Sequence, residues 1–175
     1  MKKLLLPLVM LTISLNAQAG FLIDPYIGTG SYASSFDAAN AAAEGVDQDD
    51  VEESMTAVGS RLGYSFLLLN AGIDYQLATV DGDNATNISA FVGVDLPILF
   101  RFWGEYFISS DVDVDSGVTS DFTDGYGLGV GFTGLPFVSI NLEAQYLNYE
   151  LESSGFEYDV TTASYLLSVS LPLDF

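Results

Sequence analysis

Tyr165-Leu166-Leu167-Ser168-Val169-Ser170-Leu171-Pro172-Leu173-Asp174-Phe175 ends the chain. Counting back by twos from Phe175 gives Leu173, Leu171, Val169, Leu167 and Tyr165, all apolar or aromatic. The intervening set is Asp174, Pro172, Ser170, Ser168 and Leu166. Period two belongs to an extended strand, whose successive side chains point to opposite faces. Pro172 removes one ladder donor and weakens the pattern locally, which a strand tolerates near its end.

The same rhythm recurs upstream. A weak segment covers Tyr26 to Tyr32. A second sets Val58, Leu62 and Tyr64 against Gly59, Arg61 and Gly63. A third sets Ala71, Ile73, Tyr75 and Leu77 against Asn70, Gly72, Asp74 and Gln76. A fourth runs from Ile88 to Leu96, with Ile88, Ala90, Val92 and Val94 on one face. A fifth sets Phe100, Phe102, Tyr106 and Ile108 against Arg101, Trp103, Glu105 and Phe107. A sixth sets Tyr126, Leu128, Val130 and Phe132 against Gly125, Gly127, Gly129 and Gly131. A seventh sets Val138, Ile140, Leu142, Ala144 and Tyr146 against Ser139, Asn141, Glu143 and Gln145. With the terminal segment the count is eight. Short connections around Phe66–Leu68, Pro97–Leu99 and Gly134–Pro136 alternate with acidic ones at 34–54, 80–87, 109–124 and 151–160. Eight strands joined this way predict an all-β, eight-stranded antiparallel up-and-down barrel.

Residues 1–19 stand apart. Lys2 and Lys3 precede an apolar run from Leu4 to Leu15 that is too short to span a bilayer as a helix, and Ala17-Gln18-Ala19 offers small residues for cleavage. The expectation is a secretory signal peptide over 1–19 and a barrel domain over 20–175. That domain carries Arg61 and Arg101 against 24 acids, a formal charge of −22. No basic surface exists to neutralise phosphates, so a nucleic-acid partner is excluded. The chain has no cysteine and no histidine. Disulfides, thiolate or histidine metal sites, and nucleophiles activated by histidine are excluded with them.

Alternation alone does not say which face is outside. A soluble lipocalin-like barrel turns its apolar face inward, and a transmembrane barrel turns it outward. Here the polar face is mostly Gly, Ser, Asn and Gln, which suits a narrow lumen better than a water-exposed surface. The apolar face ends in aromatics at both levels: Tyr75, Tyr106, Tyr126, Tyr146 and Tyr165 at one rim, Tyr64, Phe100, Phe132 and Phe175 at the other. Two aromatic girdles mark the two interfaces of a bilayer. The reading is a transmembrane barrel in lipid, both termini periplasmic and the acidic loops extracellular.

The alternating segments, the tyrosine rim, the terminal aromatic strand and the stretch Gly59-Ser60-Arg61-Leu62-Gly63-Tyr64 resemble the small eight-stranded outer-membrane proteins of the OmpA transmembrane-domain and OmpX/Ail type. The resemblance rests on pattern and covers residues 20–175. It implies a bacterial outer-membrane location. It also implies that Tyr165, Leu167, Val169, Leu171, Leu173 and Phe175 form the signal read by the outer-membrane assembly machinery. The peptidoglycan-binding domain of longer OmpA proteins is not expected here. The enzymes that share this architecture depend on histidine, so no catalytic residue and no cofactor is assigned.

Inside the barrel the pattern places Arg61, Asp74, Asp95, Arg101, Glu105 and Glu143. A hairpin folded about Ile98 sets Asp95 opposite Arg101, and one folded about Leu67–Leu68 sets Arg61 opposite Asp74. Ion pairs that fill a narrow lumen are the expected use; an ion path through exchangeable pairs is the alternative. Asp111, Asp113 and Asp115 alternate as calcium ligands do, but the loop lacks the Gly and Glu of an EF-hand. They remain candidates for weak divalent-cation binding beside the plainer reading of a solvated loop. The expected function is that of a monomeric, non-enzymatic envelope protein whose loops meet a host or cell-surface partner or divalent cations. A narrow channel is the alternative, followed by a soluble ligand-binding barrel.

Overall fold

A computed structural model of the chain describes residues 19–36, 51–112, 119–153 and 156–175. Its long strands are β1 (Gly20–Phe36), β2 (Val51–Phe66), β3 (Leu69–Val80), β4 (Asp83–Leu96), β5 (Phe100–Val112), β6 (Thr119–Phe132), β7 (Ser139–Ser153) and β8 (Phe156–Ser170). Each pairs antiparallel with its sequence neighbour, and β1 pairs with both β2 and β8. The sheet therefore closes into an eight-stranded up-and-down barrel. A short β9 (Leu173–Asp174) carries the last strand past Pro172 and pairs with Leu22 and Ile23. Phe175 and Phe21 then exchange backbone hydrogen bonds at 3.0 and 3.1 Å.

The end of the barrel that holds Gly20 and Phe175 has tight connections. Leu67, Leu99 and Phe137 take left-handed backbone angles at these turns, with φ of 59°, 68° and 68°. The registers set Arg61 opposite Asp74 and Asp95 opposite Arg101.

The far end differs from the sequence-based expectation. The segment 80–87 is not a loop. Asp81 and Gly82, at φ of 48° and 101°, form a two-residue turn, and Asp83–Asn87 already belong to β4. Positive φ at both central residues matches strand twist in a hairpin, and Asp-Gly is a preferred sequence for it. Likewise β5 runs to Val112, β6 starts at Thr119, β7 runs to Ser153 and β8 starts at Phe156. The acids in these stretches suggest loops because they are charged. In a barrel that projects into water, they can instead sit on exposed faces of continuing strands. The first strand is also longer than its alternation suggests, spanning Gly20–Phe36 rather than Tyr26–Tyr32.

The apolar set points outward. Ile27, Leu62, Ile73, Val92, Phe102, Leu128, Leu142 and Leu167 are exposed around the whole circumference. The inward set is charged or small. The four alternating glycines of β6 have a packing reason. A Cβ on Gly129 would overlap the Trp103 ring, and one on Gly131 would press on Asn141 and Arg101. The glycine stripe thus makes room for the bulky inward side chains of β5.

One seam is incomplete. The β5–β6 ladder ends at Tyr106–Tyr126. By contrast β4–β5 continues to Ala85–Val112 and β6–β7 to Thr119–Glu152. Ile108 and Thr123 are each skipped in the register with the other neighbour, so a bulge sits on both strands where the seam opens. Bulges bend a strand and leave a residue unpaired. Among the described residues, the β5 stretch beyond Tyr106 has a sheet partner only on its β4 side.

Hydrogen–deuterium exchange by NMR checks this. About half of the amides from Ile108 to Val112, those aimed at β6, are expected to exchange much faster than the amides of Arg101–Glu105. Uniform protection along β5 would contradict the open seam.

Candidate functional site

Charged side chains from five strands meet in the middle of the lumen. Asp24 (β1), Arg61 (β2), Asp74 (β3), Arg101 and Glu105 (β5) and Glu143 (β7) are all buried. Arg61 reaches Asp24 (Nη1–Oδ2 3.2 Å), Glu143 (Nη2–Oε1 2.6 Å) and Asp74 (Nε–Oδ2 3.5 Å). Arg101 bonds to the same Oδ2 of Asp24. The Tyr26 hydroxyl donates to Asp74 at 3.1 Å. The Arg61 guanidinium also lies between two rings, 4.8 Å from Tyr26 and 4.4 Å from Trp103. A flat guanidinium can stack on rings while its edge donates to carboxylates, which a lysine ammonium cannot do.

Arg61 meets Asp74 as its hairpin predicts, but the other expected pairing, Arg101 with Asp95, is corrected, and Glu105 stands outside the ion pairs of the described residues. Arg101 faces Asp95 across its hairpin, yet its ion pair is with Asp24. Asp95 lies nearer the terminal end, half-buried, and accepts from Asn70 Nδ2 at 2.9 Å. In so narrow a barrel a guanidinium reaches the opposite wall, so within-hairpin opposition does not choose the partner. Glu105 makes no salt bridge among the described residues. It accepts from Trp103 Nε1 at 2.6 Å and Ser89 Oγ at 3.2 Å. Asp24 and Tyr26 are the functional residues that sequence reasoning missed. The usable signal was Leu22-Asp24-Tyr26 at period two. It was hidden because that inward face mixes apolar and charged groups around Pro25.

Asp74, Glu105 and Glu143 bring carboxylate oxygens within 4.8 Å of one another. With Asp24 there are four buried carboxylates against two guanidinium groups. The layer plugs the lumen. Beside Arg61, Arg101 and Trp103 lies a void of about 10 Å³, room for at most one water. A cavity of about 430 Å³ lies on its terminal side and one of about 190 Å³ on its far side.

On the outer face, β6, β7 and β8 present three successive rows. The first is aromatic: Tyr126 stacks on Tyr146 at 5.4 Å, and the Tyr146 and Tyr165 hydroxyls are 3.5 Å apart. The second is hydrogen-bonded: Asn148 donates to Asp124 at 2.6 Å and accepts from Thr161 at 2.9 Å. The third is acidic: Asp121 is paired in register with Glu150, and Glu150 with Asp159, all three exposed. Like charges directly opposite on adjacent strands repel. Asp81, Asp83 and Asp111 are also exposed at this end, Asp111 on β5. Asp113 and Asp115 lie outside the described residues, as does the expected signal peptide apart from Ala19. Of the expected assembly residues, Tyr165, Leu167, Val169, Leu171, Leu173 and Phe175 are exposed.

No protein-family model matches the chain, and no curated protein matches it significantly. Solved structures do. The Neisserial surface protein A is similar at 15% identity and TM-score 0.54, over 88% of this chain and 98% of that one. Ail of Yersinia pestis, solved with the heparin analogue sucrose octasulfate, is similar at 12% identity and TM-score 0.54, over 88% and 99%. At such identities the likeness is one of fold: this chain has the fold of the small outer-membrane barrels.

Asp24→Asn is expected to lower unfolding stability by about 3–5 kcal/mol, because two buried guanidinium groups lose a shared partner. Asp95→Asn is expected to cost under about 1 kcal/mol. In double-mutant cycles by urea unfolding, Arg101 should couple to Asp24 by more than about 1 kcal/mol. Stronger coupling to Asp95 would reverse the assignment.

Proposed function

We propose that this chain is a non-enzymatic, monomeric outer-membrane barrel whose acidic far end faces the cell exterior and meets a basic partner or divalent cations. Both termini then lie in the periplasm, and the closing strand through Phe175 serves as the assembly signal. The exposed apolar belt and its aromatic rows support insertion in lipid. Strands that run on past the aromatic row at the far end support the orientation.

The observation that carries the binding reading is the row Asp121–Glu150–Asp159. Repulsion within it is unfavourable on its own, so a cation or cationic side chain at the row removes a cost as well as adding an attraction. Arg61 and Arg101 are both buried, so no exposed cation competes among the described residues. The sign of this surface argues against a polyanionic ligand of the kind seen with Ail. The absence of histidine and cysteine speaks against hydrolysis by a histidine-activated or thiol nucleophile. Charged side chains packed across the lumen among the described residues disfavour the channel alternative.

The test uses the refolded chain in phosphatidylcholine vesicles and a fluorescent oligolysine peptide. Binding is expected to weaken with added salt. The triple variant Asp121→Asn, Glu150→Gln, Asp159→Asn should bind about tenfold more weakly, at several tenths of a kcal/mol per neutralised charge. Neutralising Asp81, Asp83 and Asp111 together, an equal change in charge, should cost less. Heat-modifiable gel migration should stay intact in both variants. Equal losses would reduce the row to general charge, and salt-independent binding would overturn the reading.

A further inference from the structure

Above the charged layer the lumen changes character. Two apolar clusters face each other there: Tyr26, Met55, Ala57, Ala78 and Leu166 on one wall, Phe107, Leu147 and Tyr149 on the other. Insertion does not require apolar side chains inside, since the outward face already meets the lipid, and a lumen open to water is normally polar. The far-side cavity of about 190 Å³ touches both walls through Met55, Ala78 and Leu147. It is larger than a dry apolar cavity of about 150 Å³ that accommodates benzene.

One buried polar group beside this space has no partner among the described residues. Gln145 lines the cavity and is 2% exposed. Its Oε1 accepts from Ser164 Oγ at 3.3 Å, and its Nε2 has no hydrogen-bond partner among the described residues. A buried donor left unsatisfied is unfavourable. The lining thus combines apolar side chains with polar ones, Asn84, Asn87 and Ser164 among them, and one buried N–H that lacks an acceptor. Glu53 and Asp83 also line the cavity. With the carboxylates of the plug below, they make the chamber hostile to anions. An ammonium group would leave the amide N–H unanswered.

We propose that the far half of the lumen is a binding chamber for a small neutral aliphatic molecule bearing one oxygen acceptor, such as a ketone, ester or alcohol. At about 30 Å³ per non-hydrogen atom, the volume holds roughly six or seven such atoms. The acceptor takes the Gln145 Nε2 hydrogen, and the chain lies against Met55, Ala78 and Leu147. This site is separate from the acidic outer row and does not depend on it.

Met55 supplies the probe. It is the one methionine among the described residues, the other two being Met1 and Met10. The full chain is labelled with ¹³C-methyl methionine and placed in phosphatidylcholine nanodiscs. The Met55 signal, assigned with Met55→Leu, is followed by NMR during titration with 2-hexanone, hexanoate and hexylammonium. A saturable shift with 2-hexanone alone is expected. Gln145→Met should weaken it roughly three- to tenfold, the worth of one hydrogen bond. Ala78→Phe fills the chamber and should abolish saturation. Heat-modifiable migration reports folding for each variant, and if Ala78→Phe does not fold, the Gln145→Met comparison decides. A non-saturable shift, an equal response to either charged analogue, or full affinity in folded Gln145→Met overturns the proposal.

Discussion

A single buried carboxylate, that of Asp24, binds both guanidinium groups of the barrel. Through Arg61 it is linked to Asp74 and Glu143, and through Arg101 to the wall carrying Trp103 and Glu105. Five strands are thereby cross-tied through the lumen, perpendicular to the ladders that close the sheet. Each tie involves groups that water no longer solvates, so losing one partner strands the others. The plug also lies between a terminal-side space and a far-side one. The terminal-side space is bordered by tight turns, and the far-side space by apolar walls and strands that run on into water.

The outward face follows a second, independent constraint. Its side chains need only be apolar across the bilayer and amphipathic at the edge, which is why Leu, Val, Ile and aromatic residues interchange there. The inward face is more exacting. Trp103 occupies the position it does because Gly129 has no Cβ, and Arg61 stacks between rings because Gly59 leaves space for Tyr26. The glycine stripe on β6 is the sequence trace of large neighbours on β5.

Much of the barrel was legible in the chain. Period-two alternation located eight strands, and hairpin arithmetic about Leu67–Leu68 and Ile98 set two registers, because inward residues must face inward residues. Strand ends were less legible. Acidic residues such as Asp83, Glu150 and Asp159 suggest loops by charge, although the ladder runs to Asp83 and through Glu150 and Asp159 outside the apolar belt. The centre of the site was the least legible part. Asp24 lies beside Pro25 in a segment whose period is blurred, and its partners sit 37 and 77 positions away in sequence. Pairing across a lumen leaves no local pattern. The same limit hid the far-side cavity, which is built by Met55, Ala78, Gln145 and Leu147 from three strands.

The most direct test of this account reads the direction of one side chain. The chain has a single tryptophan, Trp103, which is buried in the lumen against Arg61. In vesicles of lipid brominated along the acyl chain, its fluorescence should be quenched far less than that of a Trp103→Phe, Leu128→Trp variant, whose indole would face the lipid. Equal quenching of the two proteins, or stronger quenching of Trp103, would contradict an apolar face turned to lipid around a charged, closed lumen.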